Sequence, residues 1–331
     1  MSRSLRRMFV AMFIIVVATA AAQGQRPSEE FKPPEDIAFR KATIISEGTP
    51  MAAEVYAPKN PASDKLPTIV MAHGWGGVAA HLRPDAVAFA RAGYLVVTFD
   101  YRGWGASESR LIPVSPASAK DDDGTFTAEV KEVREVVDPI DQTTDLANAV
   151  SWVYGEPQCD PEKIGLWGSS YSGGHVVYVA ARDPRVKATV SQVPALDSRQ
   201  VVLEGGERQK TFDEAAARTH GDLGYPPPGA RVIGNLRGAP IREKLMQYAP
   251  VEDVDRADQC AMLFVLAENE ELFDNKDHGI LAHQRAKGPK KLVIVPDIKH
   301  YGIYLQARGK AQQLAIDWYD EHLKGNQSSE N

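Results

Sequence analysis

The chain reads as an α/β protein with a mostly parallel central sheet, helices on both faces and a cap insertion. Three observations predict it. Short apolar runs at 68–72, 94–99, 164–167, 186–193, 262–267 and 292–295 have the near-continuous hydrophobicity of strands buried on both faces. Helical stretches separate them, at 83–92, 141–154 and 172–182, with an amphipathic terminal helix at 310–323. Alternating strands and helices build a parallel sheet with both sides covered. The rhythm then fails at 197–250, which is charged, rich in Gly and Pro (Tyr225-Pro-Pro-Pro-Gly229) and only patchily helical. That segment is expected to cap the C-terminal edge of the sheet.

The 331 residues, 43% hydrophobic, suit one large domain or two small ones. The first 22 residues stand apart. Arg3, Arg6 and Arg7 precede an apolar run, 8–22, that is short for a bilayer and ends in Ala18-Thr19-Ala20-Ala21-Ala22. This is the composition of a secretory signal peptide cut near Ala20 or Ala22, with an uncleaved anchor as the alternative. No cysteine follows the apolar run, so a lipid anchor is not expected. The mature chain is expected to be secreted or periplasmic, with no stable membrane anchor. Losing three arginines and no acid moves the formal charge from −6 to −9. An acidic chain without a Lys/Arg block is a poor partner for nucleic acid.

Residues 23–36 are polar and Pro-rich and read as a mobile N-terminus, and 326–331 as a polar tail. The domain is expected over 37–325. It opens with strand-like stretches at 37–45 and 51–56, paired antiparallel through Glu47-Gly48-Thr49-Pro50. Residues 108–126 look irregular. Cys159 and Cys260 each precede a strand, on the side of the sheet away from Ser170. An exported chain is compatible with a bridge between them or with two buried thiols.

Chemistry concentrates at Gly168-Ser-Ser-Tyr-Ser-Gly-Gly174. An apolar strand ends there, small residues follow, and an apolar helix begins. This is the pattern of a nucleophile elbow, in which a strained turn lifts a serine hydroxyl above the sheet. Gly168 lies two before Ser170, which makes Ser170 the preferred nucleophile; Ser172 is the other frame. A serine hydroxyl needs a base. His300 follows the last strand, in Pro296-Asp-Ile-Lys-His-Tyr301, where a loop would overhang the same edge. His278 and His283 read as surface residues of a helical stretch, His322 lies in the terminal helix, and His175 lies inside the elbow helix. The base needs an orienting carboxylate. The loop Glu268-Asn-Glu-Glu-Leu-Phe-Asp274 offers Glu270, the preferred acid, with Glu271 and Asp274 as alternatives. Two amides would face a developing oxyanion: that of Tyr171, and that of Trp75 in the Gly-rich His73-Gly-Trp-Gly-Gly77. His73 is then a residue that orders this loop.

Taken together, His73-Gly-Trp-Gly-Gly77, Asp100-Tyr-Arg-Gly-Trp-Gly-Ala-Ser107, the elbow, the acidic loop and His300 occur in an order that resembles the α/β-hydrolase superfamily over about residues 37–325. The Ser-Tyr pair at the elbow and Asp138-Pro-Ile-Asp-Gln142 are most similar to dienelactone-hydrolase-like and X-Pro-dipeptidyl-peptidase-like catalytic domains. Ser172 stands where the family usually has glycine, and Glu270 where it usually has aspartate. The resemblance implies acyl transfer through a serine ester, with no cofactor and no metal, on a small-molecule ester or lactone. Peptidase or amidase activity is the alternative, and an inactive binding module a third reading. The chain has only two strands before its core and one helix after His300, which leaves no room for the accessory domains of peptidase relatives.

Overall fold

The structure is a computed structural model that describes residues 31–116, 120–230 and 236–325. The expected signal peptide at 1–22, the stretch 23–30 and the tail 326–331 lie outside the described residues. The described residues from Pro34 onward form one compact unit. Among the described residues, no helix is long and apolar enough to cross a membrane.

The first strands, β1 (Ile37–Ser46) and β2 (Thr49–Pro58), pair antiparallel with Ser46 opposite Thr49. Then come β3 (Leu66–Ala72), α1 (Arg83–Arg91) and β4 (Leu95–Phe99). The irregular stretch holds a small ribbon of β5 (Arg110–Pro113) with β6 (Val130–Val133), followed by β7 (Val136–Val137). Next are α2 (Pro139–Tyr154), β8 (Cys159–Ser169), α3 (Tyr171–Ala180) and β9 (Val186–Gln192). The expected insertion contains α4 (Arg199–Leu203), α5 (Glu207–His220), β10 (Ala239–Pro240) and α6 (Arg242–Leu245). The chain closes with β11 (Ala261–Ala267), α7 (Gly279–Arg285), β12 (Lys290–Val295), a 3-10 turn at His300–Tyr304 and α8 (Arg308–Tyr319).

Among the described residues the main sheet has eight strands, in the order β1-β2-β4-β3-β8-β9-β11-β12. The pairings β1–β2 and β2–β4 are antiparallel and the other pairings of this sheet are parallel. Strands β3, β4, β9 and β11, and β8 from Ile164 onward, are buried almost throughout, which is why their sequences run apolar rather than alternate. Helix α1 packs with α8, and α2 with α3, to cover the two faces.

Strand order reverses between β3 and β8. From β3 the chain crosses outward to β4, whereas from β8 it crosses the other way to β9. The loops after β3 and β8 therefore part and leave a crevice at their C-terminal ends, where open α/β sheets place ligands. Ala72 lies opposite Gly168, and Ser169 opposite Gln192, so these strand ends share one edge.

Two loops brace that edge. The Asp100 carboxylate accepts from the amides of Ala79 at 2.6 Å and Ala106 at 2.9 Å, while Ser107 Oγ donates to the Asp100 carbonyl at 2.6 Å. Asp138 caps α2, accepting from the amides of Ile140 and Asp141 ahead of which Pro139 fits the first helical position. Such a cap is worth about 1 kcal/mol. Cys159 and Cys260 are both free and buried. Burial pushes the Cys260 thiol up to about 12, the opposite of what a reactive thiolate needs.

Candidate active site

Ser170 sits between β8 and α3 at φ 59° and ψ −120°. Few non-glycine residues adopt such a backbone, and the strain costs about 1–3 kcal/mol. The neighbours are shaped around it. A Cβ on Gly168 would lie 2.2 Å from the Ser172 carbonyl oxygen, so only glycine fits there. Ser172 is fully buried; its Oγ accepts from the Ser169 amide at 2.9 Å and lies 2.7 Å from the Ala72 carbonyl. The hydroxyl of Ser172 thus ties the elbow to the end of β3, and it is committed to backbone partners.

His300 stands over this turn with its Nε2 3.0 Å from Ser170 Oγ. Its Nδ1 lies 2.8 Å from Glu270 Oε2 and 3.0 Å from Oε1. The His300 and Glu270 side chains are 1% and 2% exposed. A proton on Nδ1 held by Glu270 leaves the Nε2 lone pair facing the serine hydroxyl. Of the three candidate carboxylates, Glu270 alone makes this contact. Glu271 instead accepts from the His300 backbone amide at 2.8 Å, and exposed Asp274 from the Lys276 amide at 2.9 Å. Phe273 lies edge-on to the imidazole, 5.7 Å between ring centres.

His73, His175, His278 and His283 make other contacts. Burial lowers His73 to about 4 and His175 to about 3, so both are neutral. His175 Nδ1 is 2.6 Å from the Tyr248 hydroxyl, and His73 Nδ1 is 3.1 Å from the Gly74 carbonyl. His278 corrects the surface reading: it is buried, and its Nδ1 accepts from the Leu196 amide at 2.8 Å. His283 is half-buried beside Phe264. A polar helical stretch carries no sign of the neighbour that covers it, and here the chain after β9 covers His278.

The glycine-rich loop after β3 runs directly against the elbow. A Cβ on Gly74 would lie 2.8 Å from the Ser169 carbonyl and 3.2 Å from Ser170 Cβ. Trp75 follows, its indole donating to the Gly238 carbonyl at 3.0 Å and packing 5.2 Å from the Tyr171 ring. Tyr171 opens α3, where the first amides of a helix lack intrahelical partners. The expected result for Gly74→Ala is a loop pushed off the elbow. Turnover should fall by about 10²-fold through a displacement near 1 Å, with a melting-temperature loss reflecting about 1–3 kcal/mol of overpacking. Unchanged kcat in a folded Gly74→Ala variant would refute the tight approach.

A cavity of about 420 Å³ opens at Ser170, His300 and residues 73–77. Its walls include Leu82, Trp167, Leu236 and Tyr304, with Asp85 and Arg308 among them. None of the wall residues on α1 and α8 was singled out in the sequence. Asp85 falls within the stretch expected to be helical at 83–92, and Arg308 just ahead of the one at 310–323. Behind the elbow, Tyr304 Oη and Ser169 Oγ are 2.7 Å apart, and Gln192 donates to Ser169 Oγ at 3.0 Å. Within 197–250, Leu236 reaches the cavity wall, Tyr248 and Leu203 pack on the core, and Phe212 is exposed.

Known proteins give the arrangement a context. Residues 47–228 match the family of X-Pro dipeptidyl-peptidase (S15 family). An uncharacterized 31.7 kDa protein of the traX-finO intergenic region of Escherichia coli is 28% identical over 289 residues, covering 78% of this chain and 92% of that one. The crystal structure of hypothetical protein PA2218 from Pseudomonas aeruginosa superposes with a TM-score of 0.72 at 22% identity, covering 90% of this chain and 99% of that one. The α/β hydrolase GrgF from Penicillium sp. gives 0.65 at 20% identity, covering 87% and 99%.

Proposed function

The chain belongs to the X-Pro dipeptidyl-peptidase (S15) family and is a hydrolase of the α/β-hydrolase fold, and from that premise we propose that it cleaves carboxylic esters or lactones through an acyl-serine intermediate. The observation that carries this reading is the hydrogen-bonded row Ser170–His300–Glu270 at the mouth of the cavity. Ser170 Oγ attacks the substrate carbonyl while its proton passes to His300 Nε2. Glu270 holds the Nδ1 proton and stabilises the imidazolium. The amides of Trp75 and Tyr171 take the oxyanion. Collapse of the tetrahedral intermediate breaks the C–O bond, and Nε2 returns the proton to the departing alkoxide. Water then attacks the acyl-enzyme by the same route and releases the acid.

Ester cleavage is favoured over removal of N-terminal dipeptides by the charge on the cavity wall. A dipeptidyl-peptidase must bind a free α-ammonium. The acid on this wall, Asp85, is 3.8 Å from the Arg308 guanidinium and accepts from Gln312 at 2.7 Å, so an ammonium there would meet a cation beside its partner. The segment 197–250 is proposed as a cap that shapes substrate choice: Leu236 is on the wall, and Gly238 is held by the Trp75 indole. Export through the N-terminal segment belongs to the same reading.

The deciding experiment compares p-nitrophenyl acyl esters with X-Pro p-nitroanilides on the mature protein. Ester kcat/KM should exceed that for the anilides by at least about 10²-fold. A preference for X-Pro anilides would replace this reading with the peptidase one.

A further inference from the structure

The cavity wall supplied by α1 and α8 carries polar groups that the chemistry at Ser170 does not use. Asp85 is 7% exposed and lines the cavity. Its Oδ1 accepts from Gln312 Nε2 at 2.7 Å, while no hydrogen bond is found to Oδ2 among the described residues. Arg308 Nε is buried with no hydrogen-bond partner among the described residues, and sits 3.8 Å from Asp85 Oδ1, beyond hydrogen-bond reach. An acid in the first turn of a helix ordinarily complements the helix dipole from solvent. Asp85 is buried instead, and burial raises its carboxyl above the usual range. An acceptor oxygen left open and a cation with an unpaired donor, set side by side without satisfying each other, are costly, and Asp85 and Arg308 both line one cavity whose walls also include His81, Leu82, Trp167, Tyr301 and Tyr304.

We propose that this wall is a subsite for a neutral hydroxyl at the far end of an otherwise apolar substrate chain, accepted by Asp85 and oriented by Arg308. The inference rests on the ester reading above and names its substrate class: hydroxyl-terminated aliphatic or aromatic esters. A hydroxyl both donates and accepts, which is what an acceptor and a donor set side by side require. The Asp85–Arg308 pair has no net charge, so an ammonium would meet the guanidinium and a carboxylate would meet Asp85. A bare methyl end would leave both groups unpaired, the situation by which sites built to bond a hydroxyl reject analogues without one.

The test uses matched pairs. One is p-nitrophenyl hexanoate against its ω-hydroxy analogue, which presents the chain as acyl group. The other is hexyl acetate against the monoacetate of hexanediol, which presents it as alcohol. In at least one arm the hydroxyl member should have a kcat/KM higher by about tenfold or more. Asp85→Leu should abolish that ratio. Arg308→Leu, at the partly exposed start of α8, should lower it and favour the ω-amino analogue. Ratios within one variant cancel a general loss of activity, and labelling by a fluorophosphonate checks that each variant folds. Equal rates for both members of both pairs in the parent protein would overturn the subsite, as would a hydroxyl preference untouched by Asp85→Leu. So would a parent preference for the ω-amino or ω-carboxy analogue. Calorimetry on Ser170→Ala with the same pairs reads binding without turnover. Failure of the ester reading therefore appears as absent cleavage, and failure of the subsite as equal affinities.

Discussion

Ser170→Ala should lower kcat by roughly four to six powers of ten against p-nitrophenyl esters, leaving the melting temperature nearly unchanged. On the proposed mechanism the loss is large because the nucleophile and its base act as one unit. Without Oγ, His300 Nε2 has no proton to take, and only the amide donors and binding remain. The fold should survive because, among the described residues, Ser170 Oγ is bonded to His300 alone, whereas the packing of the turn depends on Gly168 and Ser172. A fluorophosphonate should label the Ser170 peptide and vanish with the substitution. A label on Ser172 would overturn the frame, but that hydroxyl is fully buried and spent on backbone groups at both strand ends.

The sheet was legible because its strands are buried on both faces, so the apolar runs at 68–72, 186–193 and 262–267 mark β3, β9 and β11 almost to their ends. Strand β8 begins earlier than its apolar run, at Cys159. The intervening Asp160-Pro-Glu-Lys163 is more exposed and polar, and the register with β3 shifts across it, so neither hydropathy nor regular pairing marks this end of the strand. Helix α5 spans Glu207–His220 inside a segment read as patchy. Only Thr211 of that helix is buried, and a helix with almost no buried face leaves little periodicity to find.

At the site, the serine, the histidine and the glycine-rich loop were legible because each is fixed by strand ends. The acid was harder. Glu270 and Glu271 are adjacent, and composition cannot say which turns inward; in the structure one meets the imidazole Nδ1 and the other the backbone amide of the same histidine. The cavity wall was not legible at all. Asp85, Trp167 and Arg308 converge from α1, β8 and α8, elements whose sequence separation hides any shared pattern. Trp167 reads as one more strand residue until α1 and α8 are seen to leave a gap above it.

Glu270→Gln should reduce kcat by about 10⁴-fold while leaving the protein folded. The substitution keeps the shape and removes the charge. A glutamine amide can donate to Nδ1, which favours the tautomer with its proton on Nε2, where it can no longer accept from Ser170. The imidazolium that forms during attack also loses its counter-charge, in a pocket where both side chains are almost wholly desolvated. Glu270→Asp should fall between the two, since it keeps the charge but shortens the reach to His300. Glu271→Gln tests the neighbour: it weakens the hold on the His300 backbone amide without touching the ring, so its loss should be far smaller. Steady-state kinetics on the three variants, with fluorophosphonate labelling rates as a second reading of Ser170 reactivity, decide the matter. If Glu271→Gln proved as damaging as Glu270→Gln, the orienting charge would have to be assigned to the pair, because one carboxylate holds the ring and the other holds the turn that carries it.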